Sequence, residues 1–420
     1  MEARSEKQRL VLRTGLASCI CLCLFSGIGS ILGQGVYKSA ELRYGPEVNL
    51  SYQSLVATFL GALLLWSFIA RSVNRKLARV EFLVYTCLFW FTAVNLSTIF
   101  NPATGFSSRL DSASVLANVL LGACSAVAFT SATVGCIAIL LVACVDSLVA
   151  IVDGVARVDG IVSGGVFRAS GALDSPLELA TLLTVVFVCG LARSTSRDWA
   201  GRSLWLATAT IGAGLATCWT RNAAFAVTVV SSLIQGLRGQ FFKAALFLVI
   251  GMMAYGLTTG VRLSGNGASS VERSDSGRVA QMNLAWKAFL VHPLFGTGPG
   301  SYRVKKRFVP GVDAKTDLRG SPDTKNVALA LLNEYGIVGL VVVSFLTTGI
   351  LICLAKSRSE TAYTLLLPAI ACLAIIGIAD DPYMNPDRPI GNRLIGFVAG
   401  LIIIEGGRAQ FGRSLSTGVS

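Results

Sequence analysis

Apolar runs of about 16 to 25 residues, divided by short clusters of charge, recur along the whole chain. That is the length a helix needs to cross roughly 30 Å of hydrocarbon. The runs are apolar on every side, whereas a helix on a soluble core carries one apolar stripe. The pattern predicts twelve spans, at 14–33, 51–70, 80–100, 113–131, 133–151, 177–192, 203–219, 222–237, 241–259, 326–355, 361–379 and 390–406. No charged residue divides the two spans within 113–151, and 326–355 is long enough for its first turn to project from a bilayer. No internal repeat is visible. The expected fold is an all-α polytopic membrane protein of about twelve transmembrane helices. One large loop contains short amphipathic helices. The organisation is residues 1–259 with spans one to nine, 260–325 as the loop, and 326–420 with the last three spans and a tail.

Composition agrees with the pattern. Of 420 residues, 53% are hydrophobic and 14% charged, whereas a soluble domain has about 25% charged residues. Lys and Arg gather where alternate spans begin and end: Arg4, Lys7, Arg9 and Arg13; Arg71, Arg75, Lys76 and Arg79; Arg193, Arg197 and Arg202; Arg238 and Lys243; Lys356 and Arg358; Arg408 and Arg413. The intervening short loops hold about half as many, so the positive-inside rule puts both termini in the cytoplasm and 260–325 outside. The N-terminal basic stretch and apolar run resemble a signal peptide. The length of that run and the lack of a clear cleavage site favour a retained helix. The net charge of +13 would suggest nucleic acid in a soluble protein. Here about half the basic residues set topology, and no nucleic-acid module is present. The eleven cysteines lie in predicted spans and none falls in the large loop, which excludes a disulfide framework and makes them packing residues. With one histidine and no ligand cluster, no metal is expected.

The large loop carries the distinctive chemistry. Ser274-Asp275-Ser276 can cap a helix with Val279, Met282, Trp286, Phe289 and Leu290 on one side and Arg278, Gln281 and Lys287 on the other. Such a helix lies in a bilayer interface, and Pro293 ends it. Next, His292-Pro-Leu-Phe-Gly296-Thr-Gly298-Pro-Gly300 is either a tight structural turn or a nest of amides cupping an anion. His292 is either a helix-end residue or a participant in the chemistry. Arg303, Lys305, Lys306 and Arg307 face either headgroups or substrate. Glu334, at the mouth of the tenth span, is a functional candidate by its depth or else a paired interfacial acid.

Taken together, these residues resemble the O-antigen ligase and polysaccharide polymerase superfamily of bacterial envelope enzymes. The resemblance rests on Arg278, Trp286 and the 292–300 segment, and on Lys325-Asn326-x9-Gly336-x-x-Gly339, similar to the ligases' His-Asn-x9-Gly-x-x-Gly. It rests also on Thr220-Arg221-Asn-Ala-Ala, where the family has a Ser-Arg pair opening a helix, and on Arg168-Ala-Ser-Gly171 with Pro176 and Ala180. It covers about residues 165–340. It implies a multi-pass protein of the bacterial inner membrane, with its large loop in the periplasm. The implied reaction is metal-independent glycosyl transfer without a cofactor, from an undecaprenyl-pyrophosphate-linked oligosaccharide. The acceptor glycan is a lipid-linked repeat unit in polymerases and lipid A–core in ligases. Membrane lipids and polysaccharide assembly and export proteins are the other expected partners.

The leaving pyrophosphate gathers negative charge as it departs, so fixed cations nearby lower the barrier. Arginine suits this because it stays protonated and forks onto phosphate oxygens. The expected catalytic positions are therefore Arg221, Arg278, Lys325 and Glu334, with Arg168, Arg273, His292, Gly296, Gly298, Arg303 and Asn326 binding substrate. Lys325 stands where ligases have histidine. A protonated lysine accepts no proton, which moves the expectation from ligase toward polymerase. Glu334 and Asp323 both remain as general base. Transport of a lipid-linked glycan is the expectation from another class. It is disfavoured because the distinctive residues lie outside the spans and no repeat is present.

Overall fold

The computed structural model describes Phe25, residues 115–298 with short gaps, and 326–357, 365–379 and 389–416. The predicted spans 14–33, 51–70 and 80–100 lie outside the described residues except for Phe25. Helices hold 86% of what is described, and among the described residues one hairpin is the exception. After a helical stretch within 115–126 come α1 (Ala132–Ala156), β1 (Gly160–Ser163), β2 (Val166–Ala169), α2 (Pro176–Arg193), α3 (Trp199–Thr217), α4 (Arg221–Leu237) and α5 (Phe241–Ser264). These are followed by α6 (Ala268–Val291), α7 (Val327–Ser357), α8 (Leu367–Ala379) and α9 (Pro389–Ser416).

Local sequence explains where the helices begin. Ser131 is extended and its hydroxyl accepts from Val134 N at 3.2 Å, which divides the charge-free 113–151 region as a serine N-cap does. Ser175 accepts from Leu177 N at 3.2 Å, ahead of Pro176 at the first position of α2, where a missing N–H costs nothing. Asn326 Oδ1 accepts from Leu329 N at 3.0 Å and caps α7. The α4–α5 turn closes through Gly239 N to Gly236 O and Gln240 N to Gln235 O, both 2.9 Å, a Schellman arrangement.

The core gathers α1, α2, α4, α8 and α9. Phe397 meets Phe25 and Phe129 edge to face, with centroids 5.4 and 6.2 Å away. Gly122 and Gly396 bring two backbones together so closely that a Cβ on either would overlap the opposite carbonyl, of Arg393 or Val119. Small residues at such crossings are the means by which helices associate in lipid.

The outer faces are apolar. On α1, Ile137, Leu141, Val145, Leu148, Val152 and Val155 are all exposed. At 1.5 Å per residue this stripe runs about 27 Å along the helix. Monomeric soluble proteins rarely expose so continuous an apolar surface. Among the described residues, Ala132–Ala156 and Val327–Ile352 are long and apolar enough to cross a membrane. Shorter apolar helices occur at Pro176–Ala192, Ser203–Thr217, Phe241–Leu257, Leu367–Ile378 and Ile390–Ile402. These features support membrane association.

Three expectations are corrected. The chain is not wholly helical: β1 and β2 pair antiparallel with Ile161 opposite Arg168 and Ser163 opposite Val166. Ser274-Asp275-Ser276 caps nothing, because α6 begins at Ala268 and runs through it. The face of α6 is also different. Gln281, Leu284, Ala285, Ala288 and Phe289 are buried, while Val279, Trp286 and Leu290 are exposed.

Candidate functional site

Side-chain bonds gather several helix termini at one end of the bundle. Cys189 Sγ, late in α2, donates to Leu365 O at 3.3 Å, just before α8. α8 packs against α2. Glu178 Oε1 accepts from Ile390 N at 3.1 Å, so a residue in the first turn of α2 caps the start of α9. Asn326 Nδ2 donates to Ile378 O at 3.0 Å, which brings the start of α7 to the end of α8. The loops predicted to share one side of the membrane thus converge at one end.

Two of the candidate arginines belong to that end. Arg168 projects from β2 to the turn between α3 and α4. Its Nε donates to Cys218 O and its Nη2 to Thr220 Oγ1, each at 3.0 Å. Thr220 Oγ1 also donates to Cys218 O at 3.2 Å. The next residue, Arg221, is the first of α4 and is buried. The turn is tight enough to force Trp219 to φ 47°, a left-handed conformation that non-glycine residues seldom adopt. One threonine hydroxyl therefore anchors the first guanidinium beside the backbone that carries the second. Cationic side chains at a helix start favour an anion.

The remaining described candidates belong to α6, α7 and the segment between them. Leu329 of α7 packs against Leu284, Ala285 and Ala288 of α6. Ile337 N donates to Pro293 O at 2.9 Å, so the two helices run in the same direction. Half-buried Arg278 lies two turns before that contact, which places it at the level of the chain entering α7. His292 is exposed, and its carbonyl accepts from Gly296 N at 2.9 Å.

The glycine segment seats itself in a break of α7. Gly336 has φ 67° and ψ −163° and interrupts the helix. Thr297 N donates to Asn333 O at 2.7 Å, Gly298 N to Glu334 O at 3.0 Å, and Val338 N to Leu294 O at 3.2 Å. A Cβ on Gly296 would overlap the Glu334–Tyr335 backbone, and one on Gly336 would overlap the Leu294 carbonyl. The amides of Gly296 and Gly298, expected to bind substrate, are thus engaged by His292 and Glu334 carbonyls. This is the structural turn among the two readings of the segment. Asn326 likewise works as a cap and a tie to α8.

Arg273 lies in α6, with its side chain outside the described residues. Arg303, Asp323 and Lys325 lie outside them altogether. Sequence reasoning missed Arg393, whose Nε donates to Asn118 Oδ1 at 2.8 Å and which is within electrostatic reach of Glu178. An acid and a base in separate apolar spans were the available signal, since such charges persist in membranes only as partners. Cys136, Cys144, Cys189, Cys218 and Cys372 are free thiols. Among the described residues, no three of His, Cys, Asp and Glu converge as metal ligands would. No protein-family model matches the chain, and no curated protein matches it significantly.

Proposed function

We propose that the protein is a membrane glycosyltransferase that polymerises undecaprenyl-pyrophosphate-linked oligosaccharide repeat units at the periplasmic face of a bacterial inner membrane. The observation that carries this reading is the anchoring of Arg168 on Thr220, which puts its guanidinium beside Arg221 at one end of an apolar-faced bundle. In the proposed reaction a sugar hydroxyl of the acceptor attacks the anomeric carbon of the donor. The carbon–oxygen bond to the diphosphate breaks, and undecaprenyl pyrophosphate leaves with the bonding electrons. The hydroxyl proton passes to a base, for which Glu334 and Asp323 are the candidates. Arg168 and Arg221 hold the departing diphosphate, and fixed donors of this kind contribute most where charge develops. Arg278 of α6 is the third cation assigned to the donor in this reading. The donor's polyprenyl chain would lie along the apolar faces.

Ligase activity is the runner-up within the same chemistry. Asn326 and Gly336, which carry much of the likeness to the ligases, have fold-building roles and do not discriminate between acceptors. Lys325 in place of histidine favours the polymerase.

Purified protein given a synthetic undecaprenyl-pyrophosphate oligosaccharide should produce longer lipid-linked glycans. Arg221→Ala should slow this by a factor of about 100 or more, the scale of losing one transition-state donor, with membrane insertion unchanged. Undiminished turnover in Arg221→Ala would remove the clamp from the mechanism. Transfer only to lipid A–core would select the ligase, and vectorial movement without bond formation would select transport.

A further inference from the structure

A second polar cluster lies at the opposite end of the bundle. Ser231, Gln235 and Arg238 are spaced four and three residues apart, so they share one side of α4 and its terminus. Gln235 is 3% exposed and Ser231 0%. Arg238 Nη2 donates to Ala192 O at 2.7 Å, which fixes the guanidinium against the end of α2. Its Nη1 is buried and has no hydrogen-bond partner among the described residues, and the same holds for Oε1 of Gln235, Oε1 of Gln240 and the hydroxyls of Ser231 and Ser232. Gln240 follows in the same turn, where its backbone N donates to the backbone carbonyl of Gln235. Leaving such atoms unpaired is costly, more so for a charged one. Arg238 and Gln240 are themselves half-exposed as residues, so they form the rim of the cluster. Beside them Leu233, Leu237, Phe241 and Phe242 are exposed, from 53% to 83%.

We propose that this cluster binds the head group of a glycerophospholipid. The phosphate takes Nη1 of Arg238, and a hydroxyl or ammonium donor of the head group meets the amide oxygens of Gln235 and Gln240. The acyl chains lie along Leu233, Leu237, Phe241 and Phe242. A bare anion would satisfy the cation and leave both carbonyl oxygens without donors. A phospholipid with a donor-bearing head, such as phosphatidylglycerol, satisfies both kinds of atom and covers the apolar flank. Arginine pockets between helices at a cytoplasmic surface suit such lipids. The proposal rests on the membrane reading and is independent of glycosyl transfer.

The test is native mass spectrometry of the full-length protein in detergent, titrated with phosphatidylglycerol, with phosphatidylcholine (a phosphate but no donor), or with soluble glycerol phosphate. Wild type should hold phosphatidylglycerol at least about tenfold more tightly than phosphatidylcholine. Arg238→Gln should lose at least about tenfold in phosphatidylglycerol affinity. Lys243→Ala, a charge removed from an exposed position close by in sequence, should change little. Gln240→Leu, read alongside in case Arg238→Gln does not fold, should abolish the preference between the two lipids. Equal affinities in wild type and Arg238→Gln would overturn the proposal. So would equal affinity for the two lipids in wild type, or displacement of the lipid by equimolar glycerol phosphate. Release of the chain from membranes by alkaline carbonate would overturn the membrane reading and this site with it. Lipid indifference in a membrane-retained chain overturns the site alone.

Discussion

Replacing Gly336 by alanine perturbs the joint where the 293–298 segment enters the broken helix. The backbone there, φ 67° and ψ −163°, lies in a region open essentially to glycine alone, and an alanine costs about 1–3 kcal/mol in strain. Steric overlap adds to this, because the new methyl group would meet the Leu294 carbonyl and stand 2.6 Å from Gly296 N. The segment must retreat, which weakens the bonds from Ile337 N to Pro293 O and from Val338 N to Leu294 O. Each is worth about 1 kcal/mol net. The expected loss is roughly 3–5 kcal/mol in all, measured by denaturant or thermal unfolding in detergent micelles. Gly256→Ala is the matched control: no atom lies within 4 Å of its built Cβ. As a helix-interior glycine it should gain up to about 1 kcal/mol. If Gly336→Ala and Gly256→Ala unfold at the same midpoint, the seating of the loop in the break is wrong.

Other substitutions separate fold-building from chemistry. Thr220→Val removes the hydroxyl that receives Arg168, and should lower polymer formation about tenfold through one lost charge-assisted bond; an unchanged rate would show that this anchor does not position the cation. Glu178→Ala strips Ile390 N of its acceptor and Arg393 of a nearby negative charge, and should cost about 3–5 kcal/mol in unfolding. Glu178→Gln keeps the acceptor and should cost clearly less, so equal losses would refute the capping role. Asn326→Ala should cost about 1 kcal/mol as a lost N-cap and leave kcat within a factor of about two. A folded Asn326→Ala protein without turnover would restore the substrate-binding role that the sequence suggested.

The apolar runs located α1 through α5 and α7 within about five residues and the start of α9 within one, because a run with no polar face leaves the backbone little alternative to a helix; α8 begins six residues after the expected start and α9 continues ten beyond the expected end. The start of α4 at Arg221 was legible for the same reason. The interior of the loop helix was not. There the large side chains Val279, Trp286 and Leu290 point away from the partner helix while Ala285 and Ala288 face it. In water the large residues would turn inward; where helices meet in lipid, small residues set the approach distance and large ones meet the acyl chains. The hairpin was passed over although Gly164-Gly165 between two β-branched stretches is a turn signal. Asn326 and Gly296, expected to bind substrate, also have fold-building roles that no local pattern announced. The Arg168–Thr220 bond joins residues 52 apart in sequence, a pairing that no local pattern encodes.

The reach of Glu178 to Ile390 has a consequence for biogenesis. Donor and acceptor are separated by 212 positions, so the ribosome releases the carboxylate long before its N–H partner exists. Until α9 is made, that carboxylate lacks this bond, so a chain stalled ahead of Pro389 leaves the first turn of α2 without the tie that seats the last helix.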